Sequence, residues 1–176
     1  MDRRIKGTRA LTVSAVLCAL GVILLALGSL LQVLDLTMAA LASILVIFAV
    51  IELGGKYPFL IYAVTAVLSM LLVPYKTAAL AYLCFAGYYP MLKALFERRL
   101  PRAFSWVLKV VTFNAGLALA IFLAFKFFAG FEIAATWYYW LLPVCSVVFV
   151  AYDVALTRLI SAYVFRWRSR FHFLHK

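Results

Sequence analysis

Acid–base, metal or nucleophilic chemistry would have to come from few groups in this 176-residue chain: six Asp and Glu, two His and three Cys. His172 and His175 are spaced HxxH, which is half of a metal site, and nothing nearby completes a tetrahedral set. Cys18, Cys84 and Cys145 are odd in number, lack ligand spacing and fall inside apolar runs. They read as small packing residues, without a disulfide. No nucleophile–base pair, phosphate-binding glycine loop or HExxH stretch is present, so the expectation is a protein that is not an enzyme and holds no cofactor or metal.

What remains is a set of polar groups embedded in apolar sequence. Asp153 is the sharpest, because a carboxylate in such surroundings is expensive unless it is neutralised. Lys93, Lys109 and Arg158 are the candidate cations. A structural ion pair is the simplest role, a proton-coupling or gating carboxylate the alternative, and plain access to water the third. Asn114, with Thr112 and Gly116 two residues to either side, suits an interhelical hydrogen bond or a contact to substrate. Tyr75, Tyr82 and Tyr89 recur every seven residues and would share one helix face, either packed or lining a pathway. Pro90 should kink that helix, and Lys93 and Glu97 beyond it form an i,i+4 pair.

The elements that must position these groups follow from composition. Hydrophobic residues make up 68% of the chain and its mean hydropathy is +1.09. A water-soluble domain of this size cannot cover that much apolar surface, whereas a bilayer removes the need to. The net charge of +11 sits in short clusters between apolar runs, the pattern of cytoplasmic loops, and argues against nucleic acid as a partner. The sequence is therefore expected to fold as an all-α integral membrane protein, a six-transmembrane-helix bundle forming one domain. Its spans cover about 10–34, 38–53, 58–73, 77–95, 104–128 and 135–164, with a basic-aromatic tail over 165–176. The first run is too long for a cleaved signal and reads as a retained span. Asp35 is placed to cap the second helix, Gly54 and Gly55 to stop it, and Pro58 to open the third. The last stretch is either one long tilted helix or an interfacial turn before Pro143 followed by a span.

Loop charge orients the bundle. With both termini cytoplasmic, every one of the 17 Lys and Arg except Lys76 and Lys126 falls on the inner side or half. Trp137 to Trp140 then lie at the outer interface, and the tail lies along anionic membrane lipids. The outer helix ends gather Asp35, Tyr75, Lys76, Glu132, Trp137 and Tyr138. These form an aromatic belt with solvated charges, or a pocket whose rings stack on a flat ligand. On the first helix Ala15 and Ala19, four apart, permit close approach of another helix.

The six-span pattern, the length and the stretch Ala15-Val16-Leu17-Cys18-Ala19 resemble the S-components, the substrate-binding subunits of energy-coupling-factor (ECF) vitamin transporters. The resemblance implies a multi-pass protein of a bacterial plasma membrane. Ala15 and Ala19 would dock on an ECF coupling subunit that works with ATPases, and the outer cluster would receive a vitamin-like ligand. The turns at Asp35 and Lys76 are shorter than that family's ligand-gating loops. The segment from Phe85 to Lys93 is also similar to small membrane proteins of Gram-positive bacteria. A second expectation is a non-catalytic scaffold similar to the rod-shape protein MreD, using the small-residue face and the tail as contacts. A third is a small ion- or lipid-coupled transporter built around Asp153.

Overall fold

The computed structural model describes residues 7–31, 34–127, 135–163 and 165. All regular structure among them is helical: α1 (Thr8–Leu31), α2 (Asp35–Glu52), α3 (Tyr57–Leu72), α4 (Lys76–Ala81), a π-turn (Tyr82–Ala86), α5 (Tyr89–Arg99), α6 (Arg102–Phe127) and α7 (Ala135–Ala162). Five stretches are long and apolar enough to cross a membrane: Thr8–Leu31, Asp35–Glu52, Lys76–Arg99, Phe104–Leu123 and Pro143–Ala162. The expected third span is apolar too, but α3 has only 16 residues. Where length suggests a single domain, the described residues fall into two compact units, 7–95 and 96–165.

In the first unit α1 packs on α2 and α3. Lipid gives helices no hydrophobic reason to associate, so close approach through small side chains must supply the attraction. Ala10, Cys18, Ala39, Ala42 and Ala49 accordingly lie in the core beside Leu17, Leu25 and Val46. Two glycines of α1 mark the tightest crossings. A Cβ on Gly21 would stand 2.9 Å from Thr65 Cγ2 of α3, and one on Gly28 would stand 2.8 Å from Met38 Cβ of α2. At the other end of α2, Gly54 and Gly55 take φ of 62° and 58°, left-handed values that glycine adopts without steric cost. The Leu53 and Gly54 amides both return to Ala49 O, which closes the helix.

The start of α2 differs from expectation. Leu34 is the capping residue and makes no side-chain bond, while Asp35 lies inside the first turn. There its charge still favours the helix dipole, but its Oδ2 accepts a hydrogen bond from the Thr77 hydroxyl. Asp35 thus ties the α1–α2 turn to the start of α4 instead of capping α2. The helix containing Pro90 differs as well: the irregularity is a π-turn upstream of the proline.

In the second unit α6 and α7 pair. The rings of Phe113 and Phe149 stack with centroids 4.6 Å apart and planes 12° from parallel. Hydroxyls on both helices bond back to their own backbone, Thr112 to Leu108 O, Thr157 to Asp153 O and Ser161 to Thr157 O, which satisfies them without water. Of the two forms expected for the last apolar stretch, the chain takes the long helix, with Pro143 inside it.

Candidate functional site

The second unit places three charged groups together. Lys109 of α6 holds its Nζ 2.6 Å from Glu97 Oε1 at the end of α5 and 3.2 Å from Asp153 Oδ2 of α7. The Trp106 ring, one turn before Lys109, lies 5.3 Å from the same nitrogen, within cation–π range. The Lys109 and Asp153 side chains are 4% and 2% exposed, against 44% for Glu97.

Periodicity explains the convergence. Lys109 lies five positions after Phe104, where the apolar stretch of α6 begins, about 7.5 Å along the axis at 1.5 Å per residue. Its four-carbon stem can pass along apolar side chains and present the ammonium between helices. Phe113, one turn further on, and Phe149, one turn before Asp153, stack directly beside the pair. This fixes the separation of α6 and α7 at the level of the charges. Inside such packing an ion pair is poorly screened, so its formation offsets a large desolvation cost and its disruption is severe. Chemically, one ammonium is shared between a buried carboxylate and one at the water-accessible edge. That arrangement can tie three helices together, and it offers the positive charge two alternative partners.

Of the three cations expected for Asp153, Lys109 is in direct contact with it. Glu97, read from sequence as the i,i+4 partner of Lys93, is in contact with Lys109. Nothing in the sequence pairs Glu97 with a residue 12 positions on. Only the break at Leu100 and Pro101, between Glu97 and the start of α6, carries that signal. Asn114, expected to bond across helices, donates its Nδ2 to Val110 O on its own helix at 2.9 Å.

The expected outer residues fall in three groups. Asp35, Tyr75 and Lys76 meet where the α1–α2 turn faces the start of α4. The Tyr75 amide donates to the fully buried Ser29 Oγ at 2.9 Å. Lys76 Nζ donates to Met70 O at 2.7 Å and Val73 O at 2.5 Å, satisfying the free carbonyls at the end of α3. Asp35 Oδ1 is buried and has no hydrogen-bond partner. Glu132 lies outside the described residues, as do the side chains of Trp137 and Tyr138. The tyrosine stripe does not hold together: Tyr82 and Tyr89 are 1% and 0% exposed, whereas Tyr75 is 55% exposed.

The small residues of α1 divide between two faces. Ala10, Ser14, Cys18, Gly21, Gly28 and Ser29 are buried, while Ala15 and Ala19 are exposed in the same band as Leu11, Val16, Leu20 and Ile23. Among the described residues of the first unit, the Ala15–Ala19 pair is therefore left on the outer face of α1. No family model, curated protein or solved structure matches this sequence.

Proposed function

We propose that this multi-pass membrane protein, with both termini cytoplasmic, is a substrate-binding subunit of the S-component type for uptake of a vitamin-like small molecule. The observation that carries the reading is the outward placement of Ala15 and Ala19. A small-residue pair buried inside the bundle would serve only its own fold. One left on the surface lets a helix of another protein approach to backbone distance. Asp35 supports the ligand-binding half of the reading, since a buried acceptor oxygen without a partner is the kind of group a polar ligand would satisfy.

Purification in mild detergent from the native host tests this. The protein should bring with it a coupling subunit and its ATPases, and mass spectrometry should find a small molecule retained. Ala15→Leu or Ala19→Leu should lower recovery of the complex by about tenfold or more, since excluding one close helix contact removes at least about 1.4 kcal/mol. An unchanged complex would show that docking is elsewhere. A preparation that is empty and binds no vitamin in a thermal-shift panel would favour a scaffold.

The Glu97–Lys109–Asp153 cluster favours a second reading, a small ion-coupled transporter. Ionisable groups within spans mark ion pathways more often than chance allows, and this one offers a cation two alternative partners. Asp153→Asn keeps the shape of the side chain and removes its charge. In reconstituted vesicles it should abolish ion-driven uptake while the protein stays monodisperse. Normal flux would remove Asp153 from the mechanism.

A further inference from the structure

The π-turn at Tyr82–Ala86 is built around one displaced carbonyl. The Gly87 amide reaches back five residues to Tyr82 O at 2.8 Å, so Leu83 O loses the donor that an α-helix would give it. Tyr62 of α3 supplies a replacement, its hydroxyl donating to Leu83 O at 2.8 Å. The Tyr62 ring lies against Gly87, where a Cβ would stand 2.5 Å from Tyr62 Cδ2. It also meets Tyr88 edge-on at 6.1 Å. Four residues past the turn Pro90 has no amide hydrogen, so Ala86 O receives no bond from it either. The helix is least tightly bonded to itself between these two carbonyls.

A π-turn absorbs one extra residue. Everything after it is turned by about 100° relative to an unbroken α-helix, the rotation of one residue. In the observed register Lys93 is 1% exposed and Ala94 is exposed. If the extra residue moved along α5, each side chain it passed would take the direction its successor now holds. Lys93 would then take the outward direction of Ala94. The extra residue thus turns α5 so that Lys93 is the group facing inward. π-turns of this kind occur mostly where a helix has a functional reason to be irregular.

We propose that the π-turn is a register switch. Moving the extra residue along the helix rotates α5 and carries Lys93 between the packed interior and the outside. The Tyr62 hydroxyl on Leu83 O is the latch that holds the inward state. The switch is independent of whether the protein takes up a vitamin, an ion or neither.

Acylation of lysines by a water-soluble N-hydroxysuccinimide ester, read by mass spectrometry on the full chain in detergent micelles, tests the switch without altering Lys93. Exposed Lys56 is the reference for reagent, and buried Lys109 reports general loosening. Tyr62→Phe should speed acylation of Lys93 about tenfold, the scale of one lost hydrogen bond to a carbonyl, with Lys109 unchanged. Deleting Cys84 removes the extra residue and leaves α5 facing as it does now. In that variant Lys93 should react about tenfold more slowly than in the parent, because the outward register is no longer available. Deletion of Ala86 serves equally if the first deletion does not fold. Equal Lys93 rates in the parent and a folded deletion variant would overturn the proposal. So would a Tyr62→Phe variant in which Lys93 is unchanged, or in which Lys93 and Lys109 accelerate together.

Discussion

Lys109→Ala should destabilise the α6–α7 unit by about 3–5 kcal/mol, the usual cost of breaking a buried ion pair by removing one member. The Lys109 ammonium holds Asp153 Oδ2 at 3.2 Å with both side chains almost wholly enclosed, so water cannot take over its role without opening the helix pair. Asp153→Ala should cost less, because Lys109 keeps Glu97 Oε1 at 2.6 Å. Glu97→Gln should cost only about 0–1 kcal/mol, because the Glu97 carboxylate is 44% exposed and solvent screens its share of the interaction. Denaturant titration in micelles, followed by the tryptophan fluorescence of Trp106, reads all three. The double variant Lys109→Met/Asp153→Leu separates two roles for the pair. It should recover most of the lost stability, since a well-packed apolar pair often equals a buried ionic one. If it also restores function, the cluster is architecture. If it is stable and inactive, the charges are working groups. A loss below about 1 kcal/mol for Lys109→Ala would mean that the pair is hydrated and not buried as described.

Gly21→Leu and Gly28→Leu should be the most damaging substitutions in the first unit. A single Cβ at these positions already falls 2.9 Å from Thr65 Cγ2 and 2.8 Å from Met38 Cβ, and neither neighbour is the free end of a flexible chain. α1 would have to move away from α2 or α3, at or above the top of the usual range of about 1–3 kcal/mol for overpacking. The expected result is little monodisperse protein and a strongly lowered Tm. Ala15→Leu, on the same helix but on its exposed face, should stay within about 0.5 kcal/mol of the parent. That contrast also makes Ala15→Leu a fair test of partner docking, because loss of a complex could not be blamed on loss of the fold. Equal damage from Gly21→Leu and Ala15→Leu would mean that the inner and outer faces of α1 are wrongly assigned.

Hydropathy and breaker residues made the helices legible: Gly54 and Gly55 end α2, and Pro58 opens α3. The faces were not legible. In a soluble helix the apolar stripe marks the inside, but the outward Leu11, Val16 and Ile23 of α1 are as apolar as the inward Leu17 and Leu25. Periodicity therefore carries no direction when lipid is the outer solvent. Only the small residues carry a hint of it, and they divide between faces: Gly21 is buried while Ala15 and Ala19 are exposed. The Asp153 problem was visible because a carboxylate in apolar sequence demands neutralisation. That Lys109 meets it depends on how α6 lies against α7, which spacing alone does not encode. The π-turn left the faintest trace. Tyr82, Leu83, Cys84, Phe85 and Ala86 read as ordinary helix, and Pro90 drew attention to a point several residues too late.

The shortness of α3 has a consequence for the surrounding lipid. Sixteen residues reach about 24 Å, against about 30 Å for a typical hydrocarbon core. Phe59, Leu60, Val67, Leu71 and Leu72 turn apolar surface outward along nearly its whole length, so acyl chains must meet it directly. Lys56 precedes its start and Lys76 folds over its final carbonyls, so both ends of the helix are marked by ammonium groups that draw phosphates inward. A helix of this length crosses only where the bilayer thins beside it, its flanking groups snorkel or it associates with neighbours, at a cost of fractions of a kcal/mol for each ångström of mismatch. Neighbouring molecules that share such a thinned patch deform less lipid together than apart. Hydrophobic mismatch at α3 thus supplies a weak, sequence-independent attraction between this protein and other short-spanning proteins, and a preference for thin membrane.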